Sequence, residues 1–141
     1  MIKNEREYKI TQSHVTKFKQ ALNYLADARK HGKFDIATID VQRATTESMI
    51  KTLQSELREY EEIKAGRYRA KIKKYLELVE LLPVSLIQAR ITLNWTQKDL
   101  AIRVGTSEQQ IQRYESEDYQ TASLATVKKI NGIIREQLIG S

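Results

Sequence analysis

The chain has no cysteine, one proline and five glycines, and each shortage excludes a class of structure. Without cysteine there can be no disulfide framework and no thiolate metal site, which suits a reducing compartment. Scarce glycine and proline favour a helix-rich chain over one built from hairpin turns. No run approaches about eighteen apolar residues, so we expect no membrane span. The opening "MIKNEREYKI" lacks the apolar core of a signal peptide, so we expect a cytoplasmic protein.

The residues that perform catalysis are also scarce. His14 and His31 are the two histidines, and they stand far apart in the sequence. No carboxylates accompany them at metal-ligand spacing, and Gly66 and Gly105 stand alone rather than in a phosphate-binding loop. We therefore expect no catalytic residues, no metal, no cofactor and no enzyme activity.

Positive charge is what the chain has in excess, with a formal net charge of +6. The balance is +5 for residues 1–82 and +1 for residues 83–141. Five basic residues fall in "RYRAKIKK" at positions 67–74. A basic chain favours anionic partners, with nucleic acid first among them. Whether residues 67–74 touch DNA or form a solvated face stays open at this point.

The first half of the chain predicts two long helices. Residues 1–12 are polar and read as a loose arm, after which Ser13 is a reasonable N-cap for a helix that ends near Gly32. Apolar residues recur at spacings of three and four in that helix, at Val15, Phe18, Leu22 and Leu25.

The second helix is expected from Ile36 or Val41, capped by Asp35 or Asp40, to Ile63. Its apolar seam is as narrow as that of the first helix, so the two favour an antiparallel hairpin. Such seams need a partner: each other, a second copy of the chain, or another protein.

The segment at residues 67–74 separates this hairpin from the rest. Its basic and apolar residues alternate with period two, which is weakly strand-like, although a solvated linker or frayed helix fits equally well. We therefore predict a first domain at residues 1–75, comprising hairpin and basic linker, and a second at residues 76–141.

The second domain shows the start and stop signals of several short helices. Pro83 suits a first-turn position, Asn94 tolerates the left-handed conformation, and Thr96 with Asp99 fits a capping box. Gly105 ends the next helix.

The capping signals continue beyond Gly105. Ser107 caps a further helix, with Gln110 in the reciprocal capping position. Ser123 begins a fourth helix, followed by a short last helix or by its own continuation past Gly132.

Two short helices joined by a tight glycine turn predict a helix-turn-helix. Ala101 is small enough for close helix approach, Gly105 allows an abrupt end, and Ile111 anchors the following helix to the core. Residues 108–113 then project outward, at a width that suits the major groove of DNA.

The stretch "WTQKDLAIRVGTSEQQIQRYE" resembles the Cro and phage-repressor (Xre) family. The family pattern falls on Gln97, Leu100, Ala101, Gly105, Ser107, Ile111 and Glu115. The resemblance implies an all-α fold in which the helical hairpin precedes a five-helix, lambda-repressor-like helix-turn-helix domain. The helical N-terminal extension is similar to that of relatives that act as antitoxins of the HigA kind.

The resemblance also implies roles for individual residues. Positions that face base edges correspond to Glu108, Gln109, Gln110 and Arg113. Positions near backbone phosphates correspond to Thr96, Gln97, Ser107, Thr121, Ser123 and Lys128. Arg90 and Glu115 correspond to a partly buried ion pair of purely structural importance. Glu108 departs from the neutral polar residue that relatives often carry, which makes it the weakest candidate among the base readers.

The sequence thus predicts a sequence-specific transcriptional regulator, a dimeric repressor that binds an inverted repeat in double-stranded DNA at the nucleoid. The alternative is the antitoxin of a type II toxin–antitoxin pair, which binds its toxin through the N-terminal helices and regulates its own operon. A third possibility is a coactivator-like bridge that uses the fold without reading bases. The sequence leaves open whether the hairpin dimerises or binds a toxin.

Overall fold

The computed structural model describes residues 1–32 and 34–140, and every regular element in these ranges is an α-helix. The six helices are α1 (Glu5–Lys30), α2 (Ile36–Lys64), α3 (Arg69–Thr92), α4 (Gln97–Val104), α5 (Glu108–Ser116) and α6 (Leu124–Ile139). The predicted all-α fold is therefore confirmed. The chain forms two compact units, one of residues 1–70 and one from Lys71 onward.

Helix α1 begins earlier than the sequence analysis predicted. The Asn4 side chain caps it by accepting from the Glu7 amide at 2.9 Å, and the Glu7 carboxylate accepts from the Lys3 amide at 2.8 Å. The expectation of a loose arm at residues 1–12 is wrong beyond these first residues, and Ser13 lies inside the helix. The spacing Asn-x-x-Glu was the sequence signal for this start.

The hairpin turn between α1 and α2 follows the predicted signals. Gly32 has φ of +63°, a left-handed conformation that ends α1 without a steric penalty. Asp35 is the N-cap of α2, accepting from the Thr38 amide at 3.2 Å, so the choice between Asp35 and Asp40 is settled in favour of Asp35.

Ion pairs at both ends show that α1 and α2 run antiparallel, as predicted. Lys64 at the end of α2 lies 2.9 Å from the Glu5 carboxylate at the start of α1. At the turn, Arg29 lies 2.9 Å from the Asp40 carboxylate. The apolar seam between the helices is thin, and its buried cluster consists of Leu25, Ala28 and Ile39.

Helix α3 contradicts two expectations. Residues 69–74 are helical, so the strand-like interpretation of "RYRAKIKK" is wrong. Pro83 lies inside α3 rather than in a first turn. Proline removes one backbone hydrogen bond from a helix, and here the helix continues through it because helix-favouring residues surround it and Leu86 beyond it is buried.

The second unit contains four helices in the described part of the chain rather than the five expected. Helix α6 continues through Gly132, which was the alternative interpretation of this region. Ile130 and Ile134 on either side of Gly132 are buried and hold α6 against the core. The core residues are Leu86, Leu100, Ala101, Val104, Ile111, Tyr119, Ile130 and Ile134.

Two glycines of the second unit should respond oppositely to alanine. A Cβ at either Gly105 or Gly132 would meet no atom within 4 Å, so backbone conformation alone determines whether alanine stabilises or destabilises the domain. Gly105 has φ of +79°, and Gly105→Ala should cost about 1–2 kcal/mol. Gly132 is helical, and Gly132→Ala should stabilise by about 0.5–1 kcal/mol. Urea unfolding followed through the single tryptophan, Trp95, measures both, and equal effects at the two positions would contradict this account.

Candidate nucleic-acid interface

The turn between α4 and α5 is built from local capping interactions. Thr96 and Asp99 form a complete capping box at the start of α4. Gly105 ends α4 in the left-handed conformation, and its amide donates to the Ala101 carbonyl at 2.9 Å. Ser107 then caps α5 by accepting from the Gln110 amide at 3.1 Å. The two helices therefore change direction within three residues, as the sequence predicts for a helix-turn-helix.

A buried ion pair ties α5 to α3. The Arg90 Nε lies 2.6 Å from Glu115 Oε1, and Arg90 Nη2 donates to Oε2 at 2.9 Å. The side chains are 11% and 6% exposed. Arg90 Nη1 also donates to the Trp95 carbonyl at 2.7 Å. The pair that the resemblance implied is thus present as a two-pronged contact, and its role is to fix helix orientation.

Tyr119 lies beside this pair in the core. Its burial, and secondly the charge of Glu115, raise the pKa of Tyr119 to about 12. The hydroxyl therefore stays neutral at physiological pH. Its ring stacks on that of Tyr114, with centroids 6.1 Å apart, so Tyr114 serves packing in this structure.

Helix α5 turns a polar face outward because its apolar and paired residues turn inward. Ile111 and Glu115 are both buried. Among the four predicted base readers, Glu108, Gln109 and Arg113 are exposed, whereas Gln110 is half-buried. The structure thus brings three of the four onto one open surface.

Gln112 is an exposed residue of this face that the sequence analysis did not single out. At about 100° per residue it falls between Glu108 and Gln109 around the helix, so helical spacing alone was a sufficient signal. Its Nε2 lies 3.4 Å from Glu108 Oε1, which lets Gln112 hold that carboxylate. We call Glu108, Gln109, Gln112 and Arg113 the outer face of α5.

Arg113 pairs with an acidic neighbour within the chain. Its Nε donates to Glu117 Oε1 at 3.3 Å. The Thr121 hydroxyl also donates to Glu117, and this bond first, with Arg113 after it, lowers the pKa of Glu117. The hydroxyl of Thr121, a predicted phosphate contact, is therefore hydrogen-bonded to Glu117 in this structure.

Gln97 makes an unexpected contact inside the protein. Its Nε2 donates to Glu115 Oε2 at 2.7 Å, so this predicted phosphate ligand joins the Arg90–Glu115 pair. Glu115 thereby accepts from both α3 and α4. Nothing in the sequence pattern signals a bond between residues eighteen apart on different helices.

Three predicted phosphate contacts cap helices, namely Thr96, Ser107 and Ser123. The Thr96 hydroxyl donates to the Asp99 carboxylate at 2.7 Å, and that bond chiefly lowers the pKa of Asp99. Ser123 caps α6 by accepting from the Thr126 amide at 3.1 Å. Lys128 is exposed on α6.

The basic segment at residues 67–74 is largely exposed, with Tyr68 half-buried through a 3.0 Å hydrogen bond from its hydroxyl to Glu62. Arg67 lies 3.2 Å from the same carboxylate and Lys73 lies 3.8 Å from that of Glu77, so two of the five basic residues are already partly neutralised. DNA contact by this segment stays a prediction.

Other classes of site receive no support from the described residues. Residues 1–32 and 34–140 contain no group of three or more side chains suited to hold a metal ion. Within the same ranges, no helix has both the length and the apolar character to span a membrane.

Comparison with known proteins matches the second unit to one family. Residues 86–135 fit the family model described as helix-turn-helix, which covers the last two turns of α3, all of α4 and α5, and most of α6. No curated protein and no solved structure matches the chain significantly. The family match supports a DNA-binding regulator in general.

The buried ion pair should dominate the stability of this domain. Glu115→Ala leaves the Arg90 guanidinium buried and unpaired, and it should cost about 3–5 kcal/mol. The double variant Arg90→Met/Glu115→Leu should recover most of that loss, because no lone charge remains. Urea denaturation measures the free energy of unfolding of each variant.

The matched control is the exposed pair on the same helix, in which Arg113 is 62% and Glu117 37% exposed. Glu117→Ala should cost less than about 1 kcal/mol. Similar losses for Glu115→Ala and Glu117→Ala would show that burial does not set the strength of the first pair.

Proposed function

We propose, from the helix-turn-helix domain at residues 86–135, that this protein is a sequence-specific DNA-binding repressor that acts as a dimer on an inverted repeat. The observation that carries the proposal is the outer face of α5. It is polar and exposed while Ile111 and Glu115 fix the opposite face in the core. A helix held in this way can present side chains to a major groove without rearranging. The proposal places the protein on nucleoid DNA in the cytoplasm.

The chemistry of the outer face suits direct readout. Gln109 can pair with adenine through two hydrogen bonds, and Arg113 can do the same with guanine. Glu108 can accept from the amino group of cytosine, with Gln112 beside it to orient the carboxylate. Gln110 is half-buried, so it contacts bases only through the exposed part of its side-chain amide.

Contacts to the phosphate backbone of DNA would set the position of the domain along the duplex. The N-terminus of α4 offers free amides beside Thr96 and Gln97, and helix N-termini favour phosphate. The Gln97 amide group would bridge a phosphate to Glu115, which already holds it at 2.7 Å. Ser107, Thr121, Ser123 and Lys128 supply the remaining candidates around α5 and α6.

Charge explains why two copies are needed. Residues 83–141 carry a balance of only +1, so one domain gains little from non-specific attraction to phosphates. Two recognition helices about 34 Å apart would occupy successive major grooves and double the number of base contacts. Selection of bound sequences from random DNA tests this directly, with a palindromic consensus as the expected result.

Single substitutions on the outer face then test which of its side chains contact bases. Gln109→Ala and Arg113→Ala should each weaken binding to the selected sequence by about 1–3 kcal/mol and relax specificity at one position per half-site. Binding is measured at one fixed salt concentration, since phosphate contacts make affinity salt-dependent.

Gln88→Ala and Arg135→Ala are the matched controls, because both residues are exposed and lie on other helices of the same unit. They should leave specificity unchanged. If the outer-face variants bind as the parent does, α5 is not the reading helix. A chain that binds DNA with no sequence preference would instead support the coactivator-like bridge.

A second function has support from the hairpin unit. A groove of about 350 Å³ crosses α1 and α2, and its apolar lining includes Phe18, Met49 and Leu53. A hairpin with such a groove is suited to holding an apolar segment of another protein. We propose as the alternative that the protein is an antitoxin whose hairpin binds a toxin while the second unit regulates the operon.

The genetic neighbourhood and a binding measurement distinguish the alternative. A small protein encoded beside this gene should arrest growth when expressed alone and should form a complex with the full chain. Met49→Glu would place a charge in the groove and should weaken that complex, whereas Tyr24→Glu, at an exposed hairpin position outside the groove, should not. A harmless neighbouring product would remove the antitoxin proposal and leave the repressor proposal intact.

A further inference from the structure

The first half of α3 exposes an unusual amount of apolar surface. Between residues 72 and 84, seven large apolar side chains are 43–65% exposed. They are Ile72, Tyr75, Leu76, Leu78, Val79, Leu81 and Val84. We call residues 72–84 the α3 apolar segment. A helix that is apolar on most of its circumference is normally covered, so an uncovered one indicates an interface.

The apolar segment continues the core-facing stripe of the same helix. Leu82, Leu86, Ala89 and Leu93 pack in or against the core of the second unit. Stepping back from Leu82 by three and four residues reaches Val79, Tyr75 and Ile72 in turn. The stripe has the three-four spacing of helices that pair along their length, and beyond Leu82 it lies open.

The charges along this helix change sign. Lys71, Lys73 and Lys74 precede the middle of the segment, and Glu77 and Glu80 follow it. Two parallel copies would place like charges side by side. At about 100° per residue, Lys73 and Glu80 lie on the same edge of the stripe, so two antiparallel copies would place Lys73 of each beside Glu80 of the other, around a two-fold axis near Leu76.

We propose that the α3 apolar segment is a self-association surface, on which a second copy of α3 packs antiparallel with the two-fold axis near Leu76. Seven half-exposed side chains amount to on the order of 500 Å² per copy in all, and the four on the contact face are Ile72, Tyr75, Leu76 and Val79. Ile72 of each copy then approaches Val79 of the other, and Lys73 of each copy lies beside Glu80 of the other at the edge of this apolar contact. The apolar and charged residues of the segment complement an antiparallel copy of the same segment, so the partner that fits it is another copy of this chain.

This inference rests on the proposed function in one respect: the repressor needs a dimer, and the α3 apolar segment supplies its contact. The sequence offered the hairpin as the dimerisation device. Assigning that role to α3 leaves the hairpin groove available to a different partner. The tests below contain no DNA, so their failure would remove this dimer contact without touching the reading role of α5.

The first test is the oligomeric state of the full chain, measured by sedimentation equilibrium. The parent chain should be a dimer at micromolar concentration. Leu76→Glu/Val79→Glu should raise the dimer dissociation constant by at least about thirtyfold, because two carboxylates would be buried at the centre of the contact. Both positions are more than half exposed within one chain, at 65% and 59%, so the fold should survive.

Ile91→Glu/Leu124→Glu is the matched control, since these residues are 58% and 74% exposed and lie outside the segment. It should leave the dissociation constant unchanged. Ile36→Glu/Val41→Glu alters exposed apolar residues of the hairpin in the same way, and it should also leave the dimer intact. A monomeric parent, a dimer that survives Leu76→Glu/Val79→Glu, or a dimer that the hairpin variant dissociates would each overturn the proposal.

The second test is orientation, for which the absence of native cysteine makes single introduced thiols unambiguous. Leu76→Cys, near the axis, should form a disulfide-linked dimer on mild oxidation. Ile72→Cys alone should not, because antiparallel helices separate the two thiols by about 10 Å along the axis. A mixture of Ile72→Cys and Val79→Cys should cross-link between the two variants. Efficient cross-linking of Ile72→Cys to itself would show a parallel contact and overturn the antiparallel arrangement.

Discussion

The buried pair of Arg90 and Glu115 is the constraint on which the geometry of the second unit depends. A guanidinium with little access to water must keep all of its partners, so Arg90 fixes the Glu115 carboxylate and the Trp95 carbonyl together. Gln97 adds α4 to the same carboxylate. One charge pair therefore sets the positions of three helices, and the outward direction of α5 follows from it.

The parts of this arrangement that depend on a few neighbouring residues were predictable from the sequence. The cap residues Thr96, Ser107 and Ser123 and the left-handed Gly105 all appear where short-range signals placed them. Asn94 also adopts a positive φ, of 56°, as expected for the least strained residue after glycine. Each of these features is decided within about four residues by one hydrogen bond or one torsion angle.

Features decided over longer distances were missed. Pro83 suggested a helix start, but helix-favouring residues before it and the burial of Leu86 after it outweigh one lost backbone bond. The bond from Gln97 to Glu115 is equally invisible in the sequence, since it joins residues that meet only after α4 and α5 pack. Base recognition by the outer face of α5 depends on contacts with DNA, which neither short-range sequence signals nor the packing of the helices determines.

The division of labour along α5 has an evolutionary consequence. Its inward residues, such as Ile111, pack in the core and stabilise the domain, whereas its outward residues, such as Gln109, take no part in core packing. Mutations can therefore accumulate on one side of the helix without unfolding the domain. A lineage of such proteins could drift from one target sequence to another through viable intermediates, keeping the scaffold while its binding preference diverges.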